Sequence, residues 1–366
     1  MIKTSDFLII GGGIAGAGAA ARLAPEASVT VLEMEDALGR HSTGRSAAIF
    51  VRNYGNKILR ALNAASEPVL DNPVGISEES LLSPRGEMLI AAEGELNAFD
   101  EYLKGANGME VLTADEAVSL FPLLRKDRIA AAAIERDAKD IDVDRFLQGA
   151  ARSAKRHGAQ FVVDAPARRI TRVSANWQVE TPQGTFEAPV LINAAGAWAD
   201  EVADLASVKK TGLVPMRRTA AIIPPLDGVN VTSWPLIASA SESWYAKPDA
   251  GKLMVSPADE DPVDPHDVWA DDMVLAEGLH RFEQAVTMEV TRVERNWAGL
   301  RSFVSDRTPV VGFAPDANGF FWLAGQGGYG VQTAPALSQL TADLCLGRGS
   351  ELTDDVVLAL NPARLL

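Results

Sequence analysis

The sequence predicts an α/β chain in which a helix-flanked parallel sheet is intergrown with a second region built on a mainly antiparallel sheet. Three observations predict it. Near the N-terminus a short apolar strand runs through a glycine-rich turn into a helix and on to a second strand. The stretch from about 212 to 300 is dominated by strand patterning and turns. Close to the C-terminus the glycine-rich strand–turn–helix pattern returns. At 366 residues the chain exceeds one average domain, which agrees with two intergrown parts.

Phe7–Ile10, the first element, is uniformly apolar, the mark of a strand buried on both faces. Gly11-Gly12-Gly13-Ile14-Ala15-Gly16 turns the chain into an alanine-rich helix over 17–23, and a strand over 28–32 ends at Glu33. Residues 54–71 have helical spacing, 86–92 read as a strand and 97–104 as a helix. Thr113 and Glu116 stand at capping-box spacing and open a short helix that Pro122 ends. Residues 143–157 form an amphipathic helix stopped by Gly158, followed by a strand over 160–163. Residues 168–173, 177–181 and 185–188 predict a three-stranded meander, after which Val190–Asn193 is again a buried strand. In the strand-rich middle, turns are marked at Pro224-Pro225, Asp249-Ala-Gly251 and Asp261-Pro262. The acidic, proline-bearing segment 259–272 reads as a solvated surface loop. Phe320–Ala324 is a strand, 325–330 a turn and 332–346 a helix.

The N-terminal pattern carries chemistry. A lone GxGxxG is weak evidence, but here it has its full context of strand, tight turn, helix, strand and acid. Gly11 permits the turn, Gly13 lets backbone approach a pyrophosphate, and Gly16 lets helix and strand pack closely. The helix N-terminus presents free N–H groups and a partial positive charge to phosphate. Glu33, 17 residues beyond Gly16, is placed for the adenosine ribose hydroxyls and would repel a 2′-phosphate. The polar loop Gly39-Arg40-His41-Ser42-Thr43-Gly44-Arg45-Ser46-Ala47-Ala48 suits a longer cofactor than NAD, and FAD is expected.

Composition removes other classes. A net charge of −15 argues against nucleic acid as a partner. The single cysteine, Cys345, excludes an internal disulfide, a Cys-rich zinc site and an iron–sulfur cluster held by this chain alone. The four histidines lie far apart at 41, 157, 266 and 280, so no metal site is expected. No apolar window reaches the roughly 18 residues of a membrane span, and no secretory leader is evident, so a cytoplasmic protein is expected.

Several segments together resemble the D-amino-acid oxidase-like FAD-dependent superfamily. They are the GxGxxG opening, residues 41–48, Asn193-Ala-Ala-Gly-Ala-Trp198, Asp306-Arg-Thr-Pro309 and Gly325-Gln-Gly-Gly-Tyr-Gly330. Within it the chain is similar to the bacterial D-arginine dehydrogenases, through 83–87, 245–249 and 297–302 as well. The resemblance implies a Rossmann-like FAD domain of the glutathione-reductase type, from 1–48, 140–212 and 300–366. The substrate domain would come from 49–139 and 213–299. Non-covalent FAD would be held by Gly11, Gly13, Ile14, Ala15, Gly16, Glu33, His41, Ser42, Thr43, Gly44, Arg45, Ser46 and Ala48. Further contacts would come from Ala195, Gly196, Trp198, Gly325, Gly327, Gly328, Tyr329, Gly330, Val331, Gln332 and Thr333.

The resemblance further implies oxidative deamination of D-amino acids. Arg218 and Arg301 would hold the substrate carboxylate, Tyr54 and Tyr245 would line the cavity, and the Gly328 carbonyl would meet the amine. Guanidinium suits that task, being always charged and fork-shaped. On residue type alone the arginines are also readable as surface ion pairs, Arg218 more so than Arg301, and a lone tyrosine is more often a half-buried core residue. Glu87 matches the acid that meets a cationic substrate side chain. Ile49, Val51, Leu236 and Ala238 depart from the arginine-type pattern and make the wall more apolar, which points to apolar or aromatic D-amino acids as the other substrate class. A glycine- or sarcosine-type amine oxidase, or a 2-hydroxy-acid dehydrogenase, is the alternative on the same fold. Sequence does not distinguish oxygen from a quinone as the electron acceptor.

Overall fold

The structure is a computed structural model that describes residues 2–226 and 228–365. Its centre is a six-stranded sheet in the order Gln160–Val162, Val29–Leu32, Phe7–Ile10, Val190–Asn193, Phe320–Ala324, Val310–Phe313. Five strands are parallel and the last pairs antiparallel. Strand alternation gives the sheet two buried faces. Ile9, Val31, Ile192 and Phe321 face the helices Ile14–Leu23, Val143–Arg156 and Gly330–Cys345. Leu8, Leu32, Leu191 and Trp322 face a second layer that contains Trp177, Val179 and Phe186. That layer is the predicted meander, Arg169–Val173, Asn176–Thr181 and Gly184–Ala188, extended by Lys3–Thr4 pairing in parallel at its edge. Phe7–Ile10 and Phe320–Ala324 are apolar at every position because both faces are covered.

The second region is a larger mixed sheet. Val214–Ile223 pairs with Arg295–Phe303, with Lys252–Ser256 and, at its start, with Asp261–Pro262. The order then runs through Tyr245–Asp249, Leu236–Ser239, Glu87–Ala91, Ala131–Glu135 and Glu110–Leu112. Every pairing is antiparallel except that of Leu236–Ser239 with Glu87–Ala91. Arg295–Phe303 runs across position 300, so the chain leaves this sheet only at Val304. A small antiparallel sheet of Ile49–Phe50, Lys139–Ile141 and Leu82–Pro84 links the two regions.

The capping box is present: the Thr113 hydroxyl accepts from Glu116 N at 3.2 Å, and the Glu116 carboxylate accepts from Thr113 N at 2.7 Å. Two expectations in the middle region are corrected. The strand-rich stretch also contains a helix, Asp272–Ala285, capped by the Asp271 carboxylate and seated by Leu275 and Phe282. Those two residues are seven apart on one face, with Leu279 between them packing on the same core as Phe282, a helical repeat. Segment 259–272 is also not simply a solvated loop. The Asp259 side chain is 4% exposed and Asp261–Pro262 is a strand, because the acids are spent on buried arginines. Cys345 is half-buried, and burial pushes its thiol up to about 12. Among the described residues no helix is long and apolar enough to cross a membrane.

Candidate active site

The strand Phe7–Ile10 delivers its turn at the carboxyl edge of the parallel sheet, where open α/β sheets bind ligands. Gly11 has φ +109°, and a Cβ there would meet the Ala194 carbonyl oxygen at 2.3 Å. A Cβ on Gly16 would lie 1.9 Å from the Gly11 carbonyl oxygen, so this glycine brings helix and turn together. A Cβ on Gly13 would meet only Thr43 Oγ1, at 3.2 Å. Its open side faces a cavity that Ile14 and Ala15 also line. No side chain from Gly13 caps the helix; Thr43 Oγ1 accepts from Ile14 N at 3.1 Å, and the rest of the first turn is left to a ligand.

Glu33 ends its strand with both carboxylate oxygens engaged, Oε2 accepting from Gly12 N at 2.6 Å and Oε1 from Glu35 N at 3.0 Å. Burial raises its pKa, and the two backbone N–H groups work against that shift. Around it lie His41, Trp198, Ala195, Gly196 and the segment 165–167. His41 Nε2 bonds Glu35 Oε1 at 2.8 Å, and its ring packs on Trp198 with centroids 4.6 Å apart. The cavity continues past Gly13, Ser42 and Thr43 into a second chamber lined by Arg45, Ser46, Gly327, Gly328, Gly330 and Val331. This chamber holds the N-terminus of the helix Gly330–Cys345, a source of partial positive charge.

A third chamber opens from the second across Ser46, Arg218, Tyr245, Arg301 and Gly328. Tyr54, Glu87, Ile49, Val51, Leu236, Ala238, Ala48 and Gln332 line it. The structure thus brings together all the residues expected around a substrate. Arg301 Nη1 lies 3.4 Å from the Tyr54 hydroxyl, and Arg301 has no ion-pair partner among the described residues. Burial alone would depress its pKa, but the Tyr54 and Tyr245 phenols and Glu260 outweigh that and hold it up. Tyr245 is shifted downward: burial would raise it, and the Arg301 and Arg218 charges overcome the burial.

The loop bearing Tyr54 is clamped from both sides. Glu135, 3% exposed, accepts from Arg52 N at 2.7 Å and from Asn53 Nδ2 at 2.5 Å. Gln332 accepts from Val51 N at 3.1 Å, and Asn63 Nδ2 donates to the Tyr54 carbonyl at 3.1 Å. Glu87 lies opposite Glu135 in register and has no hydrogen-bond partner among the described residues. Burial, with Glu135 and Glu242 nearby, pushes its carboxyl up to about 8.

Some expected cofactor residues lie behind the cavity wall. Gly44 N donates to the Gly39 carbonyl at 2.8 Å, and Thr333 Oγ1 donates to the Tyr329 carbonyl at 2.8 Å. Gly325 turns the chain with φ +73°, and Tyr329 packs on Tyr54 with ring centroids 4.7 Å apart. Arg45, by contrast, lines the second chamber, while its Nη1 donates to the Val268 and Ala298 carbonyls at 3.0 Å each. Sequence reasoning missed Tyr102, Glu242 and Trp244 in the third chamber, and 165–167 in the first. The last was findable: Glu33 N bonds the Val162 carbonyl at 2.8 Å, so the chain leaving the 160–162 strand must pass beside Glu33.

Residues 6–344 match the family of FAD dependent oxidoreductases. The chain belongs to that family. Glycine oxidase of Bacillus licheniformis is 26% identical over 95% of this chain and 94% of its own length. Human mitochondrial sarcosine dehydrogenase is 25% identical over 92% of this chain and 39% of its own. Among solved structures, glycine oxidase from Geobacillus kaustophilus superposes with a TM-score of 0.86, at 20% identity over 100% of both chains. In this FAD-dependent oxidoreductase the Glu33 chamber has the chemistry for adenosine. The helix start at Ile14, with Thr43 as its one side-chain acceptor, could hold the pyrophosphate, and the Gly327–Val331 chamber the flavin.

Proposed function

We propose that the protein oxidises D-amino acids to imino acids, which water hydrolyses to 2-oxo acids and ammonia. The observation that carries this reading is Arg301. A half-buried guanidinium without an ion-paired carboxylate among the described residues, in a chamber adjoining the flavin site, is costly unless an anionic ligand completes it. A substrate carboxylate on Arg301 and Arg218 would be fixed in two-pronged fashion. Tyr54 and Tyr245 close over the same ligand, and the Gly328 carbonyl is available to the amine. Two adjacent cations favour the neutral amine, whose lone pair assists loss of the α-hydrogen. FAD, when bound, supplies the two-electron acceptor for that hydrogen.

The lining of the chamber favours a substrate whose side chain reaches Glu87. Arg218 and Glu87 stand on strands four neighbours apart in the sheet, and both line the chamber. Both side chains turn into the space between, Glu87 from a wall otherwise made of Ile49, Val51, Leu89 and Leu236. An acid at the far end fits D-arginine or D-lysine, and its neutral form fits apolar D-amino acids. The D configuration is carried by the family resemblance of Tyr54, Tyr245 and Glu87. Glycine or a secondary amine is the second reading, favoured by the likeness to glycine oxidase and sarcosine dehydrogenase. Anaerobic titration of the FAD-loaded protein with D-arginine, D-methionine, D-phenylalanine, glycine and sarcosine separates them. Bleaching of the flavin by the D-amino acids supports the proposal; bleaching by glycine or sarcosine alone removes it.

A further inference from the structure

The two cavity arginines differ in what they touch besides the cavity. Arg218, 9% exposed, donates Nε–H to the Asp259 carbonyl at 2.8 Å and Nη2–H to Glu260 Oε1 at 3.0 Å. The same Glu260 oxygen accepts from Arg307 Nη2 at 2.9 Å, and the Arg307 guanidinium lies 3.8 Å over the Phe303 ring. The segment that delivers Glu260 is firmly built. Asp259 accepts from Thr219 N at 2.6 Å and from Thr219 Oγ1 at 2.8 Å, and Ser256 Oγ donates to the Thr219 carbonyl at 2.6 Å. Between them Ala258 holds φ +54°, a conformation an alanine keeps only where its surroundings impose it. Glu260 is therefore held against Arg218 by its own turn. Arg301 has no directly bonded counter-ion among the described residues and feels Glu260 only at longer range.

We propose that Glu260, shared with Arg307, is a positioning residue that aims Arg218 at the substrate carboxylate while offsetting part of its charge, so that Arg301 meets the carboxylate as the less compensated of the two cavity arginines. The inference rests on the reading of Arg218 and Arg301 as the carboxylate clamp. Its consequence concerns turnover. Glu260 lowers the net positive charge that a substrate or product carboxylate meets; without it the cluster would hold anions more tightly, and the 2-oxo acid would leave slowly.

Glu260→Gln tests this, because the amide oxygen still accepts from Arg218 and only the charge is lost. The holoenzyme is titrated with propionate and pyruvate, followed by flavin absorbance and by competitive inhibition. Both anions are expected to bind roughly tenfold tighter in Glu260→Gln than in the unaltered protein. The variant's kcat is expected to fall more than its rate of flavin reduction in a single turnover. Binding that is unchanged or weaker overturns the proposal, since a merely structural Glu260 would loosen the site when altered. If neither anion binds the unaltered protein, and Arg301→Met does not change the response to substrate, the carboxylate reading itself fails and the inference falls with it.

Discussion

The cofactor cradle and the substrate chamber are neighbours, yet they are built in opposite ways. The cradle is made largely of backbone: the turn at 11–16, the helix starts at Ile14 and Gly330, and Gly11 and Gly16, whose Cβ positions are filled by other main chain. The chamber is made of side chains drawn from well-separated segments, Tyr54, Glu87, Arg218, Tyr245 and Arg301 among them. A backbone site tolerates little change in residue type but needs no counter-charges. A side-chain site can change its specificity by single substitutions, but each buried charge has to be balanced by another. Glu260 against Arg218, and Glu135 holding the Tyr54 loop, are instances of that balance.

The largest effect is expected within the arginine pair. Arg301→Met should lower kcat/KM for the best substrate by about a thousandfold, the scale of losing a buried charge-paired hydrogen bond. Arg218→Met should cost roughly ten- to a hundredfold, because Glu260 already offsets its charge. Steady-state kinetics of both variants decide it. Equal losses would mean that the two arginines share the carboxylate evenly.

On the cradle side the contrast is between neighbouring glycines. Gly16→Ala puts a Cβ 1.9 Å from a carbonyl oxygen and should prevent recovery of folded protein. Gly13→Val faces the cavity and should leave the thermal midpoint of the apoprotein within a few degrees. Its FAD affinity should fall roughly a hundredfold, the loss of about two charge-assisted hydrogen bonds to phosphate. Apoprotein reconstitution followed by flavin fluorescence measures this, and unaltered affinity would mean that the phosphate does not pass Gly13.

The same contrast explains what could be read from the sequence. The cradle was legible because its residue types are dictated locally: glycine where main chain crosses main chain, an acid at the end of the second strand. The apolar runs of the parallel sheet were legible for a related reason, since burial on both faces makes these strands mostly apolar, Thr30 and Asn193 being buried exceptions. Arg217 and Arg218 show why the chamber was harder. They are adjacent and chemically identical, yet strand alternation sends Arg218 to the cavity and Arg217 to Asp259, Asp261 and Asp271. Nothing local distinguishes them; the family resemblance did. Segment 259–272 looked like a solvated loop because acidic residues usually are solvated, and its buried role depends on arginines some forty positions away. The helix Asp272–Ala285 was lost in the same stretch, its cap at Asp271 taken for one more loop acid.

The smallest effect sharpens the comparison most, because it asks how one side chain of the chamber behaves with pH. Glu87 is pushed up to about 8 by burial beside Glu135 and Glu242, so in the free protein it is mostly neutral at pH 7. A cationic substrate side chain needs it ionised, and an apolar one is better served by the neutral acid. The direction is therefore set: kcat/KM for D-arginine relative to D-methionine should rise with pH. A midpoint near 8 is expected, and the ratio should gain about tenfold between pH 7 and 9, as one titrating carboxyl allows. Taking the ratio cancels the α-amine titration that both substrates share, and the arginine side chain keeps its charge throughout. Glu87→Gln should flatten the ratio and lower it at high pH. If the unaltered protein gives a flat ratio, Glu87 takes no part in choosing the substrate, and the selection passes to the apolar wall of Ile49, Val51 and Leu236.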